Sequence, residues 1–138
     1  MTEVTTKTTE NQELLAYRTS EYDYWDARVL ADYWGQSEDE AKARIGRKIL
    51  WGPADVAILE QFLVDARVKA LKAAKPASNP SSYKLFRESE FREYEDVEAL
   101  AKFWGDSSPM DAKLRIERNL ILGNDELLKK ALLFARSR

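Results

Sequence analysis

Leu30-Ala31-Asp32-Tyr33-Trp34-Gly35-Gln36-Ser37-Glu38-Asp39-Glu40-Ala41 reads as the end of one helix and the start of the next. Leu30, Ala31 and Trp34 continue a three- and four-residue spacing that begins at Tyr24 and Ala27, which places them on one helical stripe. Gly35 is the residue type that enters the left-handed region without penalty just past a helix. Ser37 followed by Glu40 is a capping box, so a second helix begins almost at once. The passage then returns as Leu100-Ala101-Lys102-Phe103-Trp104-Gly105, with Ser108 in the capping place and Asp111 in that of Glu40.

The repetition extends outward on both sides. Tyr17-Arg18-Thr19-Ser20-Glu21-Tyr22 is echoed by Phe86-Arg87-Glu88-Ser89-Glu90-Phe91, and Ala41-Lys42-Ala43-Arg44-Ile45 by Ala112-Lys113-Leu114-Arg115-Ile116. Asp65-Ala66-Arg67 has a fainter echo in Phe134-Ala135-Arg136. A period this long, holding one supersecondary unit per copy, is the mark of a duplicated architecture. The register between the copies shifts after the helix-ending glycines, where turns tolerate insertion.

In the first copy Ala41, Ile45 and Ile49 form the stripe of the second helix, and Gly52 ends it. Pro53 suits the first turn of a third helix carrying Val56, Leu59, Leu63, Ala66 and Ala70. In the second copy Pro109 opens the helix, Gly123 stops it, and Asn124 with Asp125 starts the last one. Each copy is preceded by a short helical or extended segment around Tyr17–Tyr22 or its echo. No stretch alternates with period two, so the expected fold class is all-α. The expected arrangement is two tandem three-helix repeats packed as one pseudo-twofold helical bundle, because about sixty residues alone bury little surface. The expected divisions are a disordered N-terminal tail over 1–12, repeat 1 over 13–74, a Pro/Ser linker over 75–82 and repeat 2 over 83–138.

Composition removes several kinds of chemistry. The 138 residues contain no cysteine and no histidine, so disulfides, thiolate catalysis and imidazole bases or ligands are absent. Twenty-two Lys and Arg against 24 Asp and Glu leave a net charge of −2, with no overall field toward nucleic acid or anionic lipid. No glycine-rich phosphate loop occurs. Asp26 and Asp96, matched between the copies, are explained by helix starts without invoking a carboxylate pair. No catalytic residue, cofactor or metal is expected. The opening residues are Thr-rich without an apolar run, and no segment reaches the length of a membrane span. The expectation is a cytoplasmic protein that does not engage a membrane.

Three features carry candidate binding chemistry. The Trp34-Gly35 and Trp104-Gly105 pairs could frame a groove, but a tryptophan packed at a capped helix end accounts for both. The basic faces of the second helices, Arg44 and Arg47 in one copy and Arg115 and Arg118 in the other, suit carboxylate or phosphate groups. The competing reading is a solvated face braced by Glu40–Arg44 and Asp111–Arg115 at four-residue spacing. Third, Trp25 stands where its twin is Glu95, and Trp51 where its twin is Leu122. A tryptophan in one copy alone needs either a private pocket or a partner, and interfaces are rich in Trp, Tyr and Arg. Tyr22, beside Trp25, joins this set.

Ala31-x-x-x-Gly35 with Ile45, and Ala101-x-x-x-Gly105 with Ile116, resemble the helix-turn-helix of bacterial DNA-binding regulators. That resemblance implies two DNA-reading helices. The helix that would meet the phosphates opens on Ser37-Glu38-Asp39-Glu40, whose carboxylates repel DNA. The expected function is therefore a non-enzymatic adaptor or regulatory module that binds another protein through Tyr22, Trp25, Arg44, Arg47, Trp51, Arg115 and Arg118. A homodimer is compatible with that expectation. The alternatives are a tandem helix-turn-helix DNA-binding protein and a ligand-sensing bundle.

Overall fold

The computed structural model describes residues 8–76, 80, 82–106 and 108–137. Among these the fold is all-helical, with no strand. The helices are α1 (Glu10–Arg18), α2 (Tyr24–Trp34), α3 (Glu38–Trp51), α4 (Pro53–Lys72), α5 (Lys84–Glu88), α6 (Glu95–Trp104), α7 (Pro109–Ile121) and α8 (Asp125–Arg136). The chain forms two compact units, one ending at Ala66 and the other beginning at Arg67, so their boundary falls inside α4. It precedes the Pro/Ser-rich stretch at which the sequence divides the chain, of which 77–79 and 81 lie outside the described residues. Residues 1–7 of the expected tail also lie outside them.

In the first unit, α1 takes in Glu10–Gln12, which the Thr-rich composition had assigned to the tail. Thr9 is the reason: its side chain accepts from the Gln12 amide at 3.1 Å, while the Gln12 side chain accepts from the Thr9 amide at 2.9 Å. Two of the amides that a helix start leaves orphaned are thereby satisfied. After α1 the chain turns on Ser20, whose hydroxyl donates to the Tyr17 carbonyl at 2.6 Å and accepts from the Tyr22 amide at 3.1 Å. Asp23 and Asp26 then cap α2 reciprocally. Gly35 adopts φ +68, and the Gln36 amide returns to the Ala31 carbonyl at 2.9 Å, closing α2 as its sequence indicates. Ser37 and Glu40 form the expected capping box at the start of α3.

Helix α1 packs mainly on α3, and α2 packs on α3 as well. Gly46 makes the first of these contacts close. A Cβ at that position would stand 1.7 Å from the Glu13 backbone oxygen, so only glycine fits under α1. Of the expected stripes, Ala27, Leu30, Ala31, Ala41, Ile45, Leu59, Leu63 and Ala66 are buried, whereas Tyr24, at the start of α2, is exposed.

The second unit uses the same local devices with different parts. Ser89 donates to the Phe86 carbonyl at 2.6 Å and accepts from the Phe91 amide at 3.2 Å. Gly105 adopts φ +71, and the Asp106 amide reaches the Ala101 carbonyl at 2.9 Å. Ser108 accepts from the Asp111 amide at 3.2 Å, with Pro109 in the first helical turn. Where the first unit has Gly46, the second has Glu117. Its carboxylate accepts from the amides of Leu85 and Phe86, at 3.2 and 2.8 Å, and so caps the five-residue α5. The long α1 passes over a glycine, whereas the short α5 is tied down by a glutamate. Phe86, Phe91, Val97, Leu100, Trp104, Ile116 and Leu128 form the centre of this unit's core. Asn119 is fully buried and donates to the Leu71 carbonyl at 3.0 Å.

Candidate partner interface

The expected brace between Glu40 and Arg44 does not form. The Glu40 carboxylate is taken up by the Ser37 amide at 2.9 Å, as the capping box requires. Arg44 instead lies over Trp34, its guanidinium carbon 4.1 Å from the ring centroid, and 5.7 Å from the centroid of Phe62. Trp34 meets Phe62 edge to face at 5.5 Å and 85°. Lys48, one turn further along α3, places its ammonium 5.6 Å from the Phe62 centroid. Two cations thus rest on one aromatic platform, a geometry in which ring quadrupoles supply the attraction.

Among the described residues Arg44 is paired with no carboxylate. Burial, and then the like charge of Arg47, lower the pKa of its guanidinium. The Trp34 indole nitrogen and Gln36 Oε1 are buried and make no hydrogen bond among the described residues. Trp34 is half-buried under this cation, not enclosed in the core as its motif suggests.

Arg47 is engaged differently. Its Nε donates to Glu13 Oε2 at 2.8 Å, and Thr8 also donates to that carboxylate. The hydrogen bond from Arg47 holds the Glu13 carboxyl below its ordinary value, against the opposing effect of burial. Arg47 therefore fastens α1 to α3.

The second unit answers the same problem with a carboxylate. Arg115, the twin of Arg44, has its guanidinium carbon 5.3 Å from the Trp104 centroid. Asp106, in the place of Gln36, accepts from Arg115 Nη2 at 2.8 Å and from Nε at 3.4 Å. Lys48 is replaced by the buried Asn119, which accepts from Asn124 at 2.9 Å. The cation on the second platform is neutralised within its own unit, while, among the described residues, that on the first is not.

The remaining expected site residues divide. Trp51 is exposed, at 43%, beside Leu50 at 46%; in the second unit Ile121 and Leu122, at 43% and 46%, hold the corresponding places. An exposed apolar pair therefore ends both helices, although only one pair includes a tryptophan. Arg44, Lys48 and Trp51 fall on one stripe of α3 at four- and three-residue steps. Tyr22 and Trp25 belong instead to the start of α2. Tyr22 donates its hydroxyl to Glu60, and burial, followed by that bond, pushes its pKa well up. Trp25 meets Tyr24 edge-on at 5.3 Å, with Arg28 5.9 Å over its ring. Arg118 is half-buried on α7.

Asp26 and Asp96 are both buried and both serve their own helix starts, Asp26 accepting from the Asp23 amide and Asp96 from the Arg92 amide. Arg136 also donates to Asp96. Among the described residues no group of three or more carboxylates is placed to hold a metal ion. No described helix is long and apolar enough to cross a membrane. Comparison with protein-family models, with curated proteins and with solved structures finds no match for this chain.

Proposed function

We propose that the chain is an internally duplicated, non-enzymatic module that binds another protein, and that the α3 face of the first unit is its main contact surface. One observation carries the proposal: Arg44, Lys48 and Trp51 share a stripe of α3, with both cations lacking a carboxylate partner among the described residues and the tryptophan exposed. Interface centres favour this combination of Trp and Arg, because each offers a large stacking surface together with hydrogen-bond donors. The duplication is supported by the matched serine turns at Ser20 and Ser89, the matched left-handed glycines Gly35 and Gly105, and the arginines over Trp34 and Trp104. Against the DNA-binding alternative, Glu38, Asp39 and Glu40 are all exposed at the opening of α3. Phosphates would meet these carboxylates first.

Amine cross-linking of the full chain in its native lysate, read by mass spectrometry, tests the proposal. One protein should cross-link through Lys48, and Trp51→Glu should abolish the link while helical content is unchanged. A Lys48 cross-link that survives Trp51→Glu, or none in wild type, contradicts the proposal.

A further inference from the structure

Gln36 and Asp106 occupy the same sequence place in their units, immediately after a left-handed glycine that ends a helix on an arginine-covered tryptophan. Asp106 shows what that place can hold. Its carboxylate meets the Arg115 guanidinium along two of its nitrogens, a planar match that gives both strength and orientation. In the first unit the corresponding arginine holds the same helix position and also covers a tryptophan, with Phe62 as a second ring beside it, but the residue in the place of Asp106 is a neutral amide. Lys48 stands where the second unit has Asn119, so positive charge is added there as the negative charge is removed. Both substitutions act in the same direction.

From this contrast we infer that Arg44 and Lys48 form a seat for a carboxylate side chain of an acidic segment on a partner protein, the place that Asp106 fills from within the second unit. The inference rests on the proposed interaction role and adds its chemistry. The guanidinium carbon lies 4.1 Å from the Trp34 centroid and 5.7 Å from that of Phe62, and among the described residues no hydrogen bond occupies its donors, which leaves them for the incoming carboxylate. Lys48 supplies a second donor for the same or the next acidic residue. The exposed Trp51 and Leu50, further along α3, offer apolar contact to a segment in which acidic and apolar residues alternate. A peptide is favoured over duplex DNA because Glu38, Asp39 and Glu40 lie exposed at the start of this same helix. Phosphates ranged along a duplex would have to approach them. A short peptide needs only the Arg44–Trp51 stretch.

The test is a titration of the full chain, following its tryptophan indole N–H signals by nuclear magnetic resonance. The probe is an amide-capped hexapeptide of alternating glutamate and leucine, with the glutamine–leucine peptide, inorganic phosphate and duplex DNA as comparison arms. The glutamate peptide should shift the Trp34 signal saturably, and the glutamine peptide should not. Gln36→Asp should supply the missing carboxylate internally and weaken binding by about tenfold or more, the scale of one charge-assisted hydrogen bond. Lys48→Glu, at a side chain making no hydrogen bond among the described residues, should weaken it as well and gives the same reading should Gln36→Asp fold poorly. Equal binding of wild type and both variants overturns the inference. So does a Trp34 response to phosphate or DNA but not to the peptide, or one that appears on concentrating the protein alone, which would make a second copy the occupant. If the peptide fails while Trp51→Glu still removes the Lys48 cross-link, the interaction role stands and the carboxylate seat falls.

Discussion

At the scale of single residues, the exchange of Gln36 for Asp106 separates two otherwise similar sites. In the second unit Asp106 and Arg115 are both largely withdrawn from solvent, so Asp106→Asn leaves a guanidinium without its anion. Chemical denaturation should show a loss of about 2 kcal/mol, within the range for a hydrogen bond to a charged group. Gln36→Asp runs the other way. It gives Arg44 a partner and should leave stability unchanged or raise it by less than about 1 kcal/mol, because desolvating a carboxylate where the Gln36 side-chain oxygen is buried offsets much of the pairing. The exchange is visible in the sequence once the copies are aligned. Its meaning is not, because spacing alone directs Arg44 to Glu40, and only the folded capping box shows that Glu40 is already committed to Ser37.

At the scale of helices, Gly46 lets α1 approach α3 closely, whereas Glu117 in the matching place accepts from the first amides of the shorter α5. Gly46→Ala places a methyl group within 1.7 Å of the Glu13 carbonyl oxygen, so α1 must lift from α3. A loss of about 1–3 kcal/mol in denaturation is expected, with the protection of α1 amides against hydrogen exchange falling most. The contact also carries a pH dependence. Because Arg47 holds the Glu13 carboxyl below its ordinary value, Glu13 binds a proton less readily in the folded than in the unfolded chain. Its contribution is present above the ordinary glutamate pKa and is lost as pH falls through the lowered one. Glu13→Gln should therefore reduce the acid sensitivity of α1 protection, and an unchanged pH profile would contradict the role given to this pair.

Most helix ends were legible, because Gly35, Ser37, Gly52, Pro53, Gly105 and Ser108 are terminating or capping residues with direct backbone consequences. The start of α1 was legible only in part. Thr9 and Gln12 form the capping signature, but a Thr-rich approach without an apolar stripe hid it. The cap of α5 was not legible at all, since Glu117 lies far along the chain from the amides it receives.

For the molecule as a whole, the absence of cysteine and histidine limits the available chemistry, and the two compact units share a set of local devices. What distinguishes them as binding surfaces is charge compensation. The second unit closes its cation–aromatic platform with its own carboxylate, and the first presents Arg44 and Lys48 beside an exposed Trp51. Trp25, which the sequence grouped with Trp51 because each stands opposite a residue that is not aromatic, and its neighbour Tyr22 sit at the start of α2 with partners of their own. Pairing the two halves of the sequence pointed to positions where the units differ, but not to which of those positions lie on one helix stripe. The most direct measurement is an exchange of the two residues in one chain, Gln36→Asp with Asp106→Asn, titrated with the glutamate–leucine peptide and followed at the Trp34 and Trp104 indole signals. The account predicts that the Trp34 response is lost and that a weaker response arises at Trp104, where Asn119 replaces the second cation. A Trp34 response equal to that of the wild type would contradict it.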